Sequence, residues 1–173
     1  SLICISLTSV ILLRFFNPPF TSFIASESNF FKKNYSYEWV PLDKAGKNIL
    51  LAMVTTEDAR FCSHLGFDLT ELYKVYVKNE KRGASTISQQ VAKNLFLWSG
   101  RSYIRKGLEA YLAFLLEIFL PKKRILEIYI NIVETAPLSF GVNSLSLASF
   151  NRSVDKLNKD QALKVALVLP NPK

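Results

Sequence analysis

Histidine, cysteine, methionine and glycine are scarce in this chain of 173 residues, which holds one His, two Cys, one Met and six Gly. Each shortage excludes something. His64 with Cys62 nearby cannot make a zinc site, which takes three or four protein ligands. Cys4 lies in an apolar run and Cys62 in a polar one, which argues against a disulfide between them. Neither a GxxxxGK loop nor a GxGxxG turn occurs, so a nucleotide cofactor has no visible cradle. No alternating apolar–polar run is long enough to suggest a sheet. Acidic residues are outnumbered, 14 Asp and Glu against 22 Lys and Arg, a net charge of +8. That excess favours an anionic partner: nucleic acid, an anionic membrane surface or a phosphate-bearing substrate. Charge alone does not choose among them.

What is present supports one domain with a core, since 49% of the residues are hydrophobic. Leu2 to Leu13 is apolar apart from Ser6, Thr8 and Ser9, and exits through Arg14-Phe15-Phe16-Asn17-Pro18-Pro19. Twelve residues fall short of the roughly 20 that span a bilayer. The run opens at Ser1 with no initiator Met, so residues 1–16 are expected to be the outer part of a truncated membrane anchor. A signal h-region, or an apolar helix packed on the domain, is the plainer alternative. Residues 17–40 read as a connector, with Tyr35 to Val40 its one strand-like run.

From Pro41 onward the patterning is helical, and residues 41–173 are taken as the functional domain. Asp43 is expected to cap a helix carrying Ile49, Leu50, Met53 and Val54. Asp68-Leu69-Thr70-Glu71 and Thr86-Ile87-Ser88-Gln89 read as capping boxes. Leu108 to Leu120 forms an apolar helix central to the core. Pro121 suits the first turn of a helix that buries Ile125, Ile128, Tyr129 and Ile132. Asn158 with Gln161 caps a last helix burying Ala162, Val165, Ala166 and Leu169.

Four clusters carry candidate chemistry. In Glu57-Asp58-Ala59-Arg60, two acids at a helix C-terminus oppose the macrodipole and need a reason; pairing with Arg60 is the plain one. In Gly83 to Asn94, small residues precede a helix N-terminus, which suits an anion, and Gln90, Lys93 and Asn94 lie one turn apart. An ordinary capped helix explains this equally. Arg101, Arg105 and Glu109 share a face if one helix runs through them, and arginine forks suit phosphate oxygens. The plain alternative is an i,i+4 salt bridge between Arg105 and Glu109 on a solvated face. Lys123, Glu127 and Asn131 align on an amphipathic helix, for which a structural role suffices.

The order of these clusters is more specific than any one. The segments E-D-x-R-F-x-x-H-x-G, G-A-S-T-I-S-Q-Q-x-x-K-N-L, R-S-x-x-R-K-x-x-E and K-R-I-L-E-x-Y-x-N follow one another here. In that series the chain resembles the glycosyltransferase family that polymerises lipid II, in its monofunctional, membrane-anchored biosynthetic peptidoglycan transglycosylases. The resemblance implies a mainly α, lysozyme-like, two-lobed domain at the bacterial inner membrane, single-pass and facing the periplasm. Its substrates would be lipid II and the growing glycan chain, with undecaprenyl pyrophosphate released. Partners would include the membrane and cell-wall synthesis or division proteins, and no nucleic acid. It implies Glu57 as general base and Glu109 as the residue steering the donor. Arg60, Gln89, Gln90, Lys93, Asn94, Arg101, Arg105 and Lys106 would bind substrate. A divalent cation such as Mg2+ or Mn2+ is allowed but not required.

Departures cluster at 135–152. Asn143 stands where the family has glutamate, and Asn151-Arg152 where it has Gly-Lys. These put the shape of the cleft wall in question more than the reaction. Two rival readings remain: a lytic hydrolase of the same fold, and a non-catalytic scaffold.

Overall fold

A computed structural model describes residues 2–28, 34–78, 83–100 and 102–169. The chain is mainly helical. In order come α1 (Leu2–Leu12), α2 (Ser22–Glu27), α3 (Lys47–Glu57), α4 (Leu69–Lys78), α5 (Ile87–Phe96), α6 (Tyr103–Phe119), α7 (Lys122–Ile132), α8 (Val142–Phe150) and α9 (Lys159–Val168). The core forms where α3 packs on α9 and where α5 lies between α6 and α7. Ile49 and Met53 of α3 meet Ala162, Val165 and Ala166 of α9 in one cluster with Ile87, Val91, Leu116, Ile125 and Ile128. The apolar positions expected on α7 and α9 are all buried.

Local signals explain most boundaries. Thr86 accepts from the Gln89 N–H while the Gln89 side chain accepts from the Thr86 N–H, and Asn158 with Gln161 repeats the arrangement. Each box satisfies donors that a helix start would otherwise orphan. Asp68 Oδ1 accepts from Glu71 N at 2.9 Å. Asp43, however, caps nothing. It sits in a 3-10 turn, Leu42–Lys44, and the helix starts one step later on Gly46. Gly46 has φ +83°, and a Cβ there would lie 2.9 Å from Asp155 Cα. The close crossing of two backbones therefore displaces the start that side-chain chemistry alone suggests. Pro121 likewise precedes α7 as its cap. The α6 helix lies at the core by one face only. Leu112, Ala113, Leu115 and Leu116 are buried, while Ile104, Leu108, Phe114 and Ile118 are exposed.

The expectation of no sheet needs correction. A three-stranded sheet of β1 (Ser36–Tyr37), β2 (Glu134–Ala136) and β3 (Ser139–Phe140) has the order β1-β3-β2. β1 runs parallel to β3, and β2 antiparallel to it. Strands of two and three residues leave no readable alternation.

The stretch before Pro41 is more than a connector. α1 packs on α6, burying Val10, and Ser6 Oγ lies 3.1 Å from the Tyr111 hydroxyl. No helix among the described residues is long and apolar enough to cross a membrane. α2 buries Ile24 and Ala25 and is fastened by Ser22 Oγ, which donates to the Leu97 carbonyl at 2.6 Å. The fourth sequence cluster is what clamps this region. Arg124 donates to the carbonyls of Leu13 and Phe16, both at 2.8 Å. Glu127 accepts from Trp39 Nε1, and Asn131 bonds both the N–H and the carbonyl of Val40. These residues face the incoming chain rather than solvent.

The divergent stretch is locally consistent. Asn151, at φ 50°, holds the left-handed position closing α8, which Asn tolerates better than other non-glycine residues. Asn143 is buried, donating to Glu38 Oε2 at 3.2 Å and accepting from Val154 N at 3.1 Å. A carboxylate at 143 would meet Glu38 with no donor between them. Asn143→Glu should therefore lower stability by about 1–3 kcal/mol, and Glu38→Gln in the same chain should restore most of it. Chemical denaturation of both variants checks this; an unchanged midpoint in the single variant contradicts the pairing.

Candidate functional site

An open cleft of about 620 Å³ lies between the end of α3, the start of α5 and β2. Its floor is set by a meeting of helix ends. α3 terminates at Glu57, with Asp58, at φ −159° and ψ 74°, as its C-cap. Asp58 does not pair with Arg60. Its Oδ2 accepts from Ile87 N at 3.0 Å, at the start of α5, and His64 Nε2 donates to both of its oxygens at 2.9 and 3.0 Å. The first helix end disfavours a negative charge and the second favours it. Arg60 instead reaches Asp68 at 3.5 Å. Asp68 thus combines its cap with an ion pair.

Asp58, His64 and Asp68 bring ligating atoms within 4.8 Å of one another. Two carboxylates, and not Cys62, stand beside His64. Asp58 has both oxygens engaged, by His64 and Ile87, and Asp68 Oδ1 meets the Glu71 N–H and Arg60. His64 Nδ1 is buried without a protein partner.

Glu57 is held differently. Oε2 accepts from Gln90 Nε2 at 2.9 Å, and the Gln90 carbonyl accepts from the Tyr129 hydroxyl at 3.2 Å. Glu57 Oε1 is buried and makes no hydrogen bond within the protein. Burial first, and then the Glu57 charge, push the Tyr129 phenol well above its ordinary range.

The cations gather around Glu109. This carboxylate is 3% exposed, with Arg105 Nη1 donating to Oε2 at 2.8 Å and Lys106 Nζ bonding Oε1. Lys106 also reaches Ser85 Oγ, on the cleft wall, at 3.0 Å. The i,i+4 pair considered for Arg105 and Glu109 is real, yet it lies buried rather than on a solvated face. Lys93 lines the cleft above the Phe23 ring, 5.2 Å from its centroid. Burial lowers its ammonium pKa, and Glu109 acts in the opposite direction. Asn94 Oδ1, at the cleft, and Arg105 Nε, on α6, are buried without a protein partner, which is uncommon for buried polar atoms.

The sequence-derived candidates therefore divide. Glu57, Arg60, Gln90, Lys93 and Asn94 line the cleft, and Lys106 reaches its wall at Ser85 while also holding Glu109, which pairs with Arg105. Gln89 is occupied by the α5 cap. Arg101 lies outside the described residues, and α6 begins after it on Ser102. Phe23, Glu134 and Tyr129 were missed. Phe23 sits in a stretch that reads as connector, Glu134 in a strand of three residues, and Tyr129 among core positions.

Comparison with known proteins is extensive. Residues 25–173 match the family model described as Transglycosylase. The biosynthetic peptidoglycan transglycosylase of Caulobacter vibrioides is 42% identical over 168 residues, covering 95% of this chain and 73% of that protein. The protein of the same description from Pseudomonas fluorescens is 44% identical over 177 residues, covering 97% and 74%. That from Haemophilus influenzae is 42% identical over 174 residues, covering 94% and 71%.

The helix-end junction yields a stability prediction. Asp58→Ala leaves Ile87 N–H and the buried His64 ring without their acceptor. The cost should be about 1–3 kcal/mol, seen as a lower thermal midpoint. An unshifted midpoint would mean that Asp58 does not tie α3 to α5.

Proposed function

This chain belongs to the transglycosylase family, and from that membership we propose how its cleft works. It is a peptidoglycan glycosyltransferase of bacterial cell-wall synthesis. The reaction read here joins lipid II units into glycan strands. The acceptor's sugar 4-hydroxyl attacks the anomeric carbon of the donor chain, forming the new glycosidic bond. The bond to undecaprenyl pyrophosphate breaks, and the pyrophosphate leaves with the electron pair.

The observation carrying this reading is the unequal engagement of the two glutamates. Glu57 keeps one buried oxygen without a protein partner, so it can accept the hydroxyl proton. Glu109 has both oxygens engaged by Arg105 and Lys106, so it is suited to arranging cations. Lys93, Arg105 and Lys106 then face the departing pyrophosphate, where fixed positive charge is most useful in the transition state. Gln90 and Asn94 line the same cleft. A lytic hydrolase would not need this group of cations.

A cation such as Mg2+ or Mn2+ at Glu109 would share that carboxylate with Arg105 and Lys106. The two-lobed, lysozyme-like arrangement is the family expectation for the mainly helical domain. An inner-membrane setting, with residues 1–16 belonging to an anchor and the domain facing the periplasm, is part of the same proposal. Exposed apolar side chains on α1 and just after it, Ile3, Ile5, Phe15 and Phe16, support it. So do those on α6, the helix that α1 packs against, because contiguous apolar surface suits a lipid interface.

Two measurements test the reading. Glu57→Gln should cut polymerisation of labelled lipid II by at least about a hundredfold, while a phosphoglycolipid inhibitor that imitates the donor still binds. Near-normal polymerisation would end the role of Glu57 as base. Lys93→Ala and Arg105→Ala should each weaken that inhibitor about ten- to a hundredfold, the scale of one charge-assisted phosphate contact. Unchanged affinity in both would move the phosphates elsewhere.

A further inference from the structure

The two oxygens of Glu57 are not equivalent, and the cause lies one residue further back. Oε2 is taken by the Gln90 amide, while Oε1 is buried without a protein partner. An amide side chain could turn over and present its oxygen instead. A carboxylate offers only acceptors, so the turned amide would set two acceptors against each other. The carboxylate thus sets which way the amide faces, and the group on the amide's far side holds it there. There the Tyr129 hydroxyl donates to Gln90 Oε1 at 3.2 Å.

Tyr129 is well suited to this. Its ring is fully buried in α7, so the hydroxyl cannot swing to solvent. Its raised pKa keeps it a donor throughout the neutral range. Gln90 lies in α5, which packs on α7, so both partners ride on rigid helices.

We propose that Tyr129 is a positioning residue for glycosyl transfer, acting through Gln90 to bind Glu57 Oε2 and leave Oε1 as the proton acceptor. This rests on reading Glu57 as the base. It also gives Gln90 a duty other than contacting sugar.

A double-mutant cycle in the intact protein, with kcat and KM for lipid II measured separately, tests it. Tyr129→Phe keeps the buried ring and removes one hydroxyl. The expected result is a five- to tenfold fall in kcat, about one net hydrogen bond, with KM unchanged and only a small drop in thermal midpoint. In a Gln90→Met background no amide remains to orient, so the same change should have no further effect on kcat. Full kcat in Tyr129→Phe, equal losses in both backgrounds, or a loss accounted for by unfolding at the assay temperature overturns the proposal. Glu57→Gln separates the two levels. If it polymerises normally, the base assignment fails and the relay with it. If it is inactive while Tyr129→Phe is unaffected, only the relay fails.

Discussion

Two carboxylates at the end of a helix are the constraint from which the rest of this site follows. Side by side at the C-terminus of α3, Glu57 and Asp58 oppose its dipole by about 0.3–1 kcal/mol each. Asp58 offsets this by accepting from the first N–H of α5 and from His64. Hydrogen bonds to a charged group contribute about 1.5–3 kcal/mol, so the junction is favourable overall. Because Asp58 ties α3 to α5, the next carboxylate, Glu57, stands opposite Gln90, one turn into α5. The acid tied into the junction, Asp58, thus fixes where the cleft-lining one, Glu57, stands.

The molecule holds another buried acid that shows what a purely structural one looks like. Glu117 of α6 is contacted by Ser88 and Lys122, and Lys122 lies over the Phe61 ring at 4.4 Å. Both contacts fall on Oε1, and the knot joins α5, α6 and the start of α7. Asp58 has both oxygens engaged. Glu57 alone among these three keeps a buried oxygen unused. Burial of an acid is therefore not what marks the site. Incomplete satisfaction is, because an unmet acceptor is costly unless a ligand meets it.

Much of this was legible in the chain before the structure. The capping boxes at Thr86 and Asn158 and the apolar faces of α7 and α9 are local patterns, and local patterns survive folding. The side-chain alternatives were harder to decide. Arg60 beside two acids looked like their partner, yet Asp58 is claimed by α5 and His64, neither of which is read from adjacent residues. Gln89 and Gln90 look alike in sequence. The box turns Gln89 back to Thr86, and helical geometry sends Gln90 to the cleft. Tyr129 was assigned to the core from its spacing, and its ring is there. Its hydroxyl acts across α5, a contact that no periodicity encodes. Asp43 failed as a cap because a backbone crossing at Gly46 outweighed a side-chain preference.

The divergent wall shows how such a site tolerates change. Leu138, between β2 and β3, adopts φ 62°, which costs a non-glycine residue on the order of 1–2 kcal/mol. Ser36 N–H bonds the Leu138 carbonyl, and β1 pairs beyond it, so the sheet holds the turn in place. Gly141 keeps what cannot vary, since a Cβ there would lie 2.9 Å from the Asn131 carbonyl oxygen. That carbonyl belongs to the residue whose side chain grips Val40. Substitutions are thus accepted at Leu138, Asn143 and Asn151, where each finds a local partner or a tolerable backbone. None of these three lines the cleft. From this region Glu134 does, and it enters at the near end of β2, next to α7, before the divergent residues begin. The wall can drift in sequence because the candidate groups Glu57, Lys93 and Glu109 are carried by α3, α5 and α6, whose junctions lie elsewhere.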